Sequence, residues 1–265
     1  MSDLPHVTLV LPCYNEGSRV CATLATLEAW FGPAVDVLVV DDGSADDTAM
    51  QAERYAQGRP HVRVHRVGRN RGKGGALRSA MPVVRGDLVV FMDADLAFER
   101  SSVQRAIDHL ADADMVVGNR RHDHSYYTVP VRLFGFLYRR HLVGFVFNRF
   151  VRLCVPVAQR DTQCGLKAFR RTSLQAMAPS LTSEGFALDV EMLVVAQALG
   201  LRLAEIPVDV RYESARSSVA LAVSAWAMAS DVVRIALRRA FGAYSPGRVR
   251  ARAASAGAAR ADAAR

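Results

Sequence analysis

The chain contains no long uncharged apolar run in its 265 residues. Because a helix needs about 20 mostly apolar residues to cross a bilayer, we expect no transmembrane helix. The opening stretch 1–6 also lacks the basic region and the apolar run of a secretory signal. These absences argue against an integral membrane protein and against a secreted protein, and they favour the cytoplasm.

Cysteine is scarce, and acidic residues are outnumbered by basic ones. The four cysteines form no C-x-x-C pair, which argues against a zinc site, and their spacing gives no disulfide framework. The 34 lysines and arginines exceed the 26 acidic residues, which gives a net charge of +8. This excess suits an anionic partner: nucleic acid, the phosphates of a nucleotide sugar or an acidic membrane surface.

Two aspartates, Asp93 and Asp95, follow the apolar run 87–92, which predicts a buried strand. An ionised carboxylate near a core is costly unless another group compensates its charge. A divalent cation would compensate both, and hard oxygen ligands suit Mg²⁺ or Mn²⁺. A strand end followed by a turn that Asp95 caps is the structural alternative.

Apolar runs alternate with helical spacings along the first half of the chain, and the connections are short. This pattern predicts an α/β fold with a mainly parallel, doubly wound sheet and flanking helices. Strands are expected at 7–11, 35–40, 62–66, 88–92 and 115–117, and helices at 18–31, 47–57, 74–84 and 101–110. Ligands of such sheets bind at the carboxyl ends of the strands. Four unusual loops follow predicted strands and should share that edge: 13–16, 41–44, 70–75 and 93–95.

Two of these loops suggest contacts with a nucleotide. The aspartates at 41–42 offer acceptors for a ribose or a base edge, although an Asx-turn would need only one of them. The loop 69–75 is basic and glycine-rich, so its backbone N–H groups and Lys73 could cradle phosphates. It does not have the P-loop spacing, because Gly74 rather than Ser or Thr follows Lys73, and the G-x-G-x-x-G fingerprint is absent.

The composition changes at about residue 131. Residues 131–157 are rich in Phe, Leu and Val, contain five arginines and have no acidic residue. Two interpretations stay open: an amphipathic segment in a membrane interface, or a helix pair that packs on the sheet with a solvated arginine face. A further C-terminal amphipathic helix is expected at 219–239. We expect residues 1–240 to form the main domain and the Ala/Arg-rich tail 241–265 to be disordered, since it has little to bury.

Several short motifs occur in order: Pro12-Cys13-Tyr14-Asn15-Glu16, Asp41-Asp42-Gly43-Ser44, Gly72-Lys73-Gly74, Asp93-Ala94-Asp95, Gly118-Asn119-Arg120, Asp161-Thr162-Gln163-Cys164-Gly165 and Asp189-Val190-Glu191. Through this ordered set, residues 6–240 resemble the GT-A glycosyltransferases of family 2. Within that family they are most similar to the branch that acts on polyprenyl phosphates, the dolichyl-phosphate mannose synthases and dolichyl-phosphate glucosyltransferases. On a helix, Asp189 and Glu191 would not face each other, so one of them is expected to be a surface charge or to hold an arginine.

The resemblance implies a role for each matching residue. Catalytic roles fall to Asp93, Asp95 and Arg120, and the first two would ligate Mg²⁺ or Mn²⁺ at the donor diphosphate. The implied donor-binding residues are Pro12, Tyr14, Glu16, Val40, Asp42, Lys73, Asp93, Ala94 and Asp95. The implied acceptor-phosphate residues are Arg120, Arg132, Arg139, Arg140, Gln163, Arg211 and Arg216.

The implied reaction is the inverting transfer of a hexosyl group from a UDP- or GDP-linked sugar to a polyprenyl monophosphate. The enzyme would work peripherally on the cytoplasmic face of a membrane and would not bind nucleic acid. Two departures leave the donor open: Ala97 stands where mannose synthases often have a metal-ligating glutamine, and 214–219 lacks the family's common tryptophan and Gly-Ser-Lys. The alternatives are a family 2 enzyme with a non-lipid acceptor, a nucleotidyltransferase and a non-catalytic protein that binds lipid surfaces or nucleic acid.

Overall fold

The computed structural model describes residues 5–211 and 221–263. Within these ranges, the side chains at 133–134, 136–142, 221–226, 261 and 263 are outside the described part. Arg216 therefore lies outside the described residues. Arg139 and Arg140 fall at positions where only the helix bounds are described.

A mostly parallel sheet of seven strands organises the described part of the chain. Its order is β3-β2-β1-β4-β7-β5-β8, and only β7 runs antiparallel to its two neighbours, β4 and β5. These strands and a separate two-stranded ribbon, β6-β9, are β1 (Val7–Cys13), β2 (Val35–Asp41), β3 (Val62–Arg66), β4 (Leu88–Phe91), β5 (Met115–Asn119), β6 (Tyr126–Thr128), β7 (Lys167–Arg170), β8 (Leu203–Pro207) and β9 (Asp209–Arg211).

Helices connect and flank these strands. They are α1 (Val20–Phe31), α2 (Thr48–Ala56), α3 (Gly72–Ala80), α4 (Arg100–Asp108), α5 (Phe134–Cys154), α6 (Arg171–Met177), α7 (Leu188–Leu199), α8 (Leu221–Ala240) and α9 (Pro246–Ala263). The central strands are covered on both faces, which is why Leu9, Val10 and Leu11 are all fully buried in succession. The predicted α/β fold with a mainly parallel sheet is confirmed.

The reversed strand β7 brings a second chain segment to the ligand edge of the sheet. In the antiparallel pair of β4 and β7, Phe91 lies opposite Lys167. Continuing that register by two residues places Gly165 opposite Asp93. The amino end of β7 therefore meets the carboxyl end of β4, which no βαβ connection would achieve.

The ribbon β6-β9 supports the turn that follows Asp95. Phe98 forms an isolated antiparallel bridge with Val210. The backbone N–H of Arg211 donates to the carbonyl of Ala97 at 2.8 Å, and the N–H of Glu99 donates to the carbonyl of Asp209 at 3.0 Å. The turn that carries Asp95 is thus held by backbone hydrogen bonds on its C-terminal side.

Residues 131–157 form a short turn and one long helix, α5, rather than a helix pair. This helix contacts α8. It has a buried side, which includes Asn148 and Val151, and an exposed side, which includes Val146 and Leu153. Of the helices in the described ranges, none has the length and apolar character needed to cross a bilayer.

The expectation of a disordered tail is wrong. Residues 246–263 form α9, which contacts α6 and α7. Alanine and arginine are strong helix formers, and Val249 is fully buried in the contact. The connection before α9 is also anchored, because the hydroxyl of Tyr244 donates to Glu191 at 2.5 Å. The composition of the tail indicated disorder, but a few tertiary contacts are sufficient to order a segment with high helix propensity.

Candidate active site

The loops after β1 and β2 are tied to each other at the ligand edge. The backbone N–H of Asn15 donates to Ser44 Oγ at 3.0 Å, and Asn15 Oδ1 accepts from the N–H of Ala45 at 2.9 Å. Asn15 has a φ of 55°, a left-handed conformation that asparagine tolerates better than most residues. The backbone N–H of Glu16 donates to Thr48 Oγ1 at 2.8 Å. Both loops are therefore pre-organised by side chains of the other.

The glycine-rich loop packs on the loop after β2. The buried Asp42 accepts a hydrogen bond from the backbone N–H of Arg71 at 2.9 Å. Burial is the main reason that the pKa of Asp42 is raised. Gly43 has a φ of 68°, and a Cβ there would lie 2.6 Å from the backbone of Arg69. Glycine is required at this contact.

Lys73 and Asp93 form the central ion pair of the site. Lys73 lies in the first turn of α3, and its Nζ is 2.6 Å from Asp93 Oδ1. Burial would raise the pKa of Asp93, but the charge and hydrogen bond of Lys73 outweigh it and hold that pKa below its usual range. The carboxylate charges of Asp93 and Asp189 outweigh burial in the same way, so the pKa of Lys73 is raised. Asp93 is therefore ionised and compensated.

Asp95 is not compensated in the same way. Burial raises its pKa, and the charge of Asp93 raises it further. Its Oδ1 accepts one hydrogen bond, from the N–H of Ala97 at 3.2 Å. Two neighbouring carboxylates, the partly exposed Asp93 and the exposed Asp95, with only one compensating lysine are a donor set that fits a hard divalent cation. Among the described residues, no cluster of three or more His, Cys, Asp or Glu side chains forms, so substrate oxygens or water would supply the other ligands.

Arg120 is held by a second buried carboxylate. Its Nε donates to Asp161 Oδ2 at 2.8 Å, and its Nη2 donates to Asp161 Oδ1 at 3.0 Å. The same Nη2 donates to the carbonyl of Gln163 at 3.0 Å. Burial would raise the pKa of Asp161, but Arg120 outweighs it and lowers that pKa. This bidentate geometry fixes the guanidinium plane of Arg120.

Gln163 carries an unsatisfied donor in the same loop. Its Nε2 is buried and has no hydrogen-bond partner in the described part of the chain. Buried polar groups in folded proteins are normally paired. A ligand oxygen beside this loop would complete the hydrogen bonding of Gln163.

Gly165 joins the Arg120 loop to the carboxylate pair. A Cβ built on Gly165 would lie 2.3 Å from Asp93 Oδ2. The loop backbone therefore contacts one carboxylate oxygen of Asp93 while Lys73 binds the other. Two sites that are far apart in the sequence, the carboxylate pair and the Arg120 loop, form one continuous surface.

The structure brings together one subset of the residues that the sequence singled out and leaves others apart. Asp42, Lys73, Asp93, Asp95, Arg120 and Gln163 share the edge formed by these contacting loops. Tyr14 is 43% exposed beside them, whereas Val40 is fully buried in β2 and Ala94 is buried with its carbonyl accepting from Thr23 Oγ1 at 2.8 Å. Arg211 is paired with Glu99 at 2.8 Å, and Arg132 is exposed in the turn before α5.

A sequence profile of glycosyl transferase family 2 matches residues 8–176, well over half of the chain. The chain belongs to glycosyltransferase family 2. It is therefore a glycosyltransferase, as the ordered motifs predicted. The matched region covers the four strand-end loops and the loop that holds Arg120.

The sequence similarity between this glycosyltransferase and its relatives extends over most of the chain. It is 30% identical to the dolichyl-phosphate beta-glucosyltransferase of Saccharomyces cerevisiae, over 90% of this chain and 76% of that one. It is 32% identical to the human enzyme of that name, over 92% and 78%. It is 34% identical to glycosyltransferase AglD of Haloferax volcanii over 77% of this chain, which spans only about a third of AglD.

Solved structures confirm the GT-A fold of this glycosyltransferase. The glucosyl-3-phosphoglycerate synthase of Mycobacterium tuberculosis superposes with a TM-score of 0.61 at 24% identity, covering 89% of this chain and 80% of that chain. At this identity the likeness concerns the fold alone.

One buried charge pair of the glycosyltransferase was missed by sequence reasoning. Asp189 pairs with Lys167 at 2.7 Å, and Glu191 accepts hydrogen bonds from Thr182, Ser183 and Tyr244. Both acids are buried, so the expectation of a surface charge or an arginine partner is wrong. The pair depends on the antiparallel direction of β7, which places Lys167 beneath the site. The alternation of strands and helices in the sequence does not predict that direction.

Proposed function

We propose that this glycosyltransferase transfers a hexosyl group, with inversion, from a nucleotide-diphosphate sugar to a polyprenyl monophosphate. The observation that carries the proposal is the contact between two differently charged halves of one site. The Asp93–Asp95 pair with Lys73 forms one half, and Arg120 with the Gln163 loop forms the other. The relatives named dolichyl-phosphate beta-glucosyltransferase support the acceptor class.

The donor half is suited to a nucleotide diphosphate. Tyr14, Glu16 and Asp42 are at the ends of β1 and β2, where nucleotides bind in open α/β sheets. Lys73 lies in the first turn of α3 beside Asp93, where its ammonium group would favour phosphate oxygens. When bound between Asp93 and Asp95, Mg²⁺ or Mn²⁺ would act as a Lewis acid toward the leaving diphosphate.

The acceptor half is suited to a phosphate nucleophile. A phosphate monoester is ionised at neutral pH, so the site needs no strong general base. Arg120 is fixed by Asp161, and the buried Nε2 of Gln163 is available to donate to a phosphate oxygen. Rate enhancement would come from holding the two charged substrates in line and in a preorganised field. Attack opposite the leaving diphosphate inverts the anomeric centre.

The outer faces of α5 and α8 are suited to a membrane surface. The two helices contact each other, and both expose large apolar side chains. Leu153 on α5 is 74% exposed, and Phe241 at the end of α8 is 80% exposed. The exposed Arg149 and Arg152 lie on the same stretch of α5 as Leu153 and would face acidic lipids. On this basis we infer that the enzyme works peripherally at the cytoplasmic face of a membrane, with Arg132 on the membrane side of the site.

The deciding experiment is a transfer assay with defined substrates. Purified protein is incubated with a panel of UDP- and GDP-sugars, a short polyprenyl phosphate and Mg²⁺ or Mn²⁺, and the lipid fraction is analysed by mass. We expect one hexose to be added to the lipid phosphate and the nucleoside diphosphate to be released. The same panel is run with phosphorylated soluble acceptors in place of the lipid.

Two outcomes would contradict the proposal. Transfer to the soluble acceptors with none to the lipid would assign a non-lipid acceptor. Release of pyrophosphate from a nucleoside triphosphate and a sugar phosphate would assign a nucleotidyltransferase.

A further inference from the structure

A lysine and an aspartate are buried together beneath the candidate site. Lys167, at the start of β7, is 1% exposed, and Asp189, in the first turn of α7, is 6% exposed. Their charged atoms, Nζ and Oδ1, are 2.7 Å apart. Lys167 Nζ also donates to the carbonyl of Cys164 at 2.6 Å. The proposed transfer chemistry assigns neither residue a role.

A contribution to folding stability does not by itself explain why a charged pair is buried here. Removing two charges from water is costly, and well-packed apolar residues of similar volume often stabilise a fold as well or better. The desolvation is nearly complete, because the segments that carry the two residues are buried as well, at Leu166, Ala168, Leu188 and Val190. The pair therefore needs an explanation beyond folding.

The hydrogen bond to Cys164 connects the pair to the metal-binding carboxylate. Cys164 precedes Gly165, whose backbone contacts Asp93 Oδ2. On its other side, Asp93 is held by Lys73, 2.6 Å from Oδ1. One carboxylate oxygen of Asp93, Oδ1, is thus paired with Lys73. The other, Oδ2, is confined by the 161–165 loop, and Lys167 binds a carbonyl of that loop. Asp189 in turn fixes the ammonium group of Lys167.

We propose that Lys167 and Asp189 are positioning residues that hold the 161–165 loop against Asp93 and so set the geometry of the metal site. This inference rests on the proposed function, since it requires a divalent cation at Asp93 and Asp95. Groups that orient a metal ligand from behind it change metal affinity about 10- to 100-fold when they are removed. The pair is expected to do the same through the loop backbone.

Metal binding without catalysis tests the inference. Mn²⁺ is titrated calorimetrically into protein that is saturated with UDP or, in a second series, with GDP, and the bound ion is followed by electron paramagnetic resonance. Asp189→Asn and Lys167→Met are each expected to weaken Mn²⁺ affinity at least tenfold. The double variant Lys167→Met/Asp189→Leu removes both charges, so its resistance to urea should return toward that of the wild type while its Mn²⁺ affinity stays low.

Glu191→Gln is the matched control. Glu191 is buried on the same helix, two residues after Asp189, but its partners are Thr182, Ser183 and Tyr244 rather than the 161–165 loop. It should lose stability and keep its Mn²⁺ affinity within about twofold, which is well below the shift typical of residues behind a metal ligand.

Three results would overturn the inference, and they differ from one another. Wild-type affinity in both single variants would show that the pair does not act on the metal site. Recovery of affinity together with stability in the double variant would assign the pair a structural role only. Wild-type protein that binds no Mn²⁺ in the presence of either UDP or GDP would instead remove the proposed metal function on which the inference rests.

Discussion

The two site aspartates differ in charge environment although they are two residues apart. Asp93 is compensated by Lys73, whereas burial and the charge of Asp93 raise the pKa of Asp95. Asp95 is therefore the carboxylate that stands to gain most from a bound cation. Because of this difference, replacing Asp93 by a neutral residue should cost the fold more stability than replacing Asp95, since Lys73 would lose its partner.

Asp95→Asn should abolish hexosyl transfer without destabilising the fold. The amide cannot replace the carboxylate as a metal ligand, and it removes the repulsion that Asp95 experiences from Asp93. We expect activity to fall at least a hundredfold and the melting temperature to stay level or rise. Thermal unfolding and the transfer assay on one preparation check both expectations. Asp123→Asn, at an exposed position, is the control, and activity of Asp95→Asn in saturating Mg²⁺ and Mn²⁺ would refute the metal role.

Gly165 is constrained by space rather than by backbone conformation. It has an ordinary φ, but a Cβ would lie 2.3 Å from Asp93 Oδ2 and 3.6 Å from the ring of Phe98. Any side chain at this position must displace the Asp93 carboxylate or the loop.

Gly165→Ala should therefore lower kcat by about a hundredfold, because displacements near 1 Å at a reacting centre have effects of this size. Gly247→Ala is the control, since a Cβ there has no atom within 4 Å. Steady-state kinetics with both variants measure the effect. Equal kcat values for the two variants would show that Asp93 tolerates the displacement.

Sequence reasoning identified the charged residues of the site but not all of their partners. The carboxylates at 93 and 95 were recognisable because polar residues directly after a buried strand need compensation, Lys73 because it lies in a basic, glycine-rich loop, and Arg120 through the resemblance to the family. The contacts that join these residues to their neighbours could not be predicted from the sequence. The contact of Gly165 with Asp93 and the pair of Lys167 and Asp189 depend on the register and direction of β7, and strand direction is set by tertiary pairing rather than by local pattern.

At the scale of elements, one buried carboxylate anchors the C-terminal helices. Glu191 in α7 accepts hydrogen bonds from the N–H groups of Thr182 and Ser183 and from the hydroxyl of Tyr244, which lies between α8 and α9. Arg238 lies over the ring of Tyr244 at 5.3 Å. Although burial opposes ionisation, these hydrogen bonds hold the pKa of Glu191 below its usual range.

Tyr244→Phe should loosen α9 more than the catalytic sheet. The variant loses a hydrogen bond to a buried carboxylate, which is worth about 1.5–3 kcal/mol. Hydrogen exchange should accelerate in 246–263 and remain unchanged in β1 and β4. Tyr126→Phe, at a largely exposed residue of β6, is the comparison. Unchanged exchange in α9 would mean that its contacts with α6 and α7 suffice.

The arginines of α5 give a test of the membrane surface. Arg149 and Arg152 are exposed and described, whereas the side chains of Arg139 and Arg140 are not described. Arg149→Glu/Arg152→Glu should reduce binding to vesicles of phosphatidylglycerol by about 2 kcal/mol or more, since each basic residue near an anionic surface contributes about 1 kcal/mol. Arg54→Glu/Arg85→Glu makes the same charge change at exposed positions outside α5 and α8. Equal sedimentation of the two double variants would count against this face.

Element bounds followed closely from periodicity where strands were apolar. The strand predicted at 62–66 matches β3, and the helix predicted at 18–31 begins two residues later, at Val20. Strands β6, β7, β8 and β9 and helix α6 were not predicted, and α9 forms where a disordered tail was predicted. β7 is only four residues long, so its local signal is weak. α9 has a high helix propensity, but its order depends on contacts with distant helices that the sequence does not show.

At the scale of the whole molecule, stability should fall in acid because buried carboxylates are held ionised. Asp161 and Glu191 both have lowered pKa values in the fold. A lowered pKa contributes stability above the unfolded value, near 3.9 for Asp and 4.3 for Glu, and that contribution is lost as the pH falls through the folded value.

Urea unfolding between pH 7 and pH 3 measures this dependence. We expect the free energy of unfolding of the wild type to decline below about pH 4. Glu191→Gln should be less stable at pH 7 and should show a shallower decline. Parallel curves for the two proteins would mean that Glu191 titrates alike in the folded and unfolded states.

The antiparallel strand β7 also affects how donor and acceptor preferences can change among relatives of this enzyme. On the proposed assignment, the nucleotide-contacting residues come from 12–95, and the acceptor-contacting residues come from 120 onward. In the sheet, the later stretch pairs with the earlier strands through β7, which lies between β4 and β5, and through β8, which pairs with β5. Recombination between relatives near residue 119 would therefore keep the two halves compatible only where these pairings, the glycine at 165 and the Lys167–Asp189 pair are kept. On the proposed assignment, donor and acceptor choice are therefore coupled traits, because β7 and the 161–165 loop belong to both halves of the site.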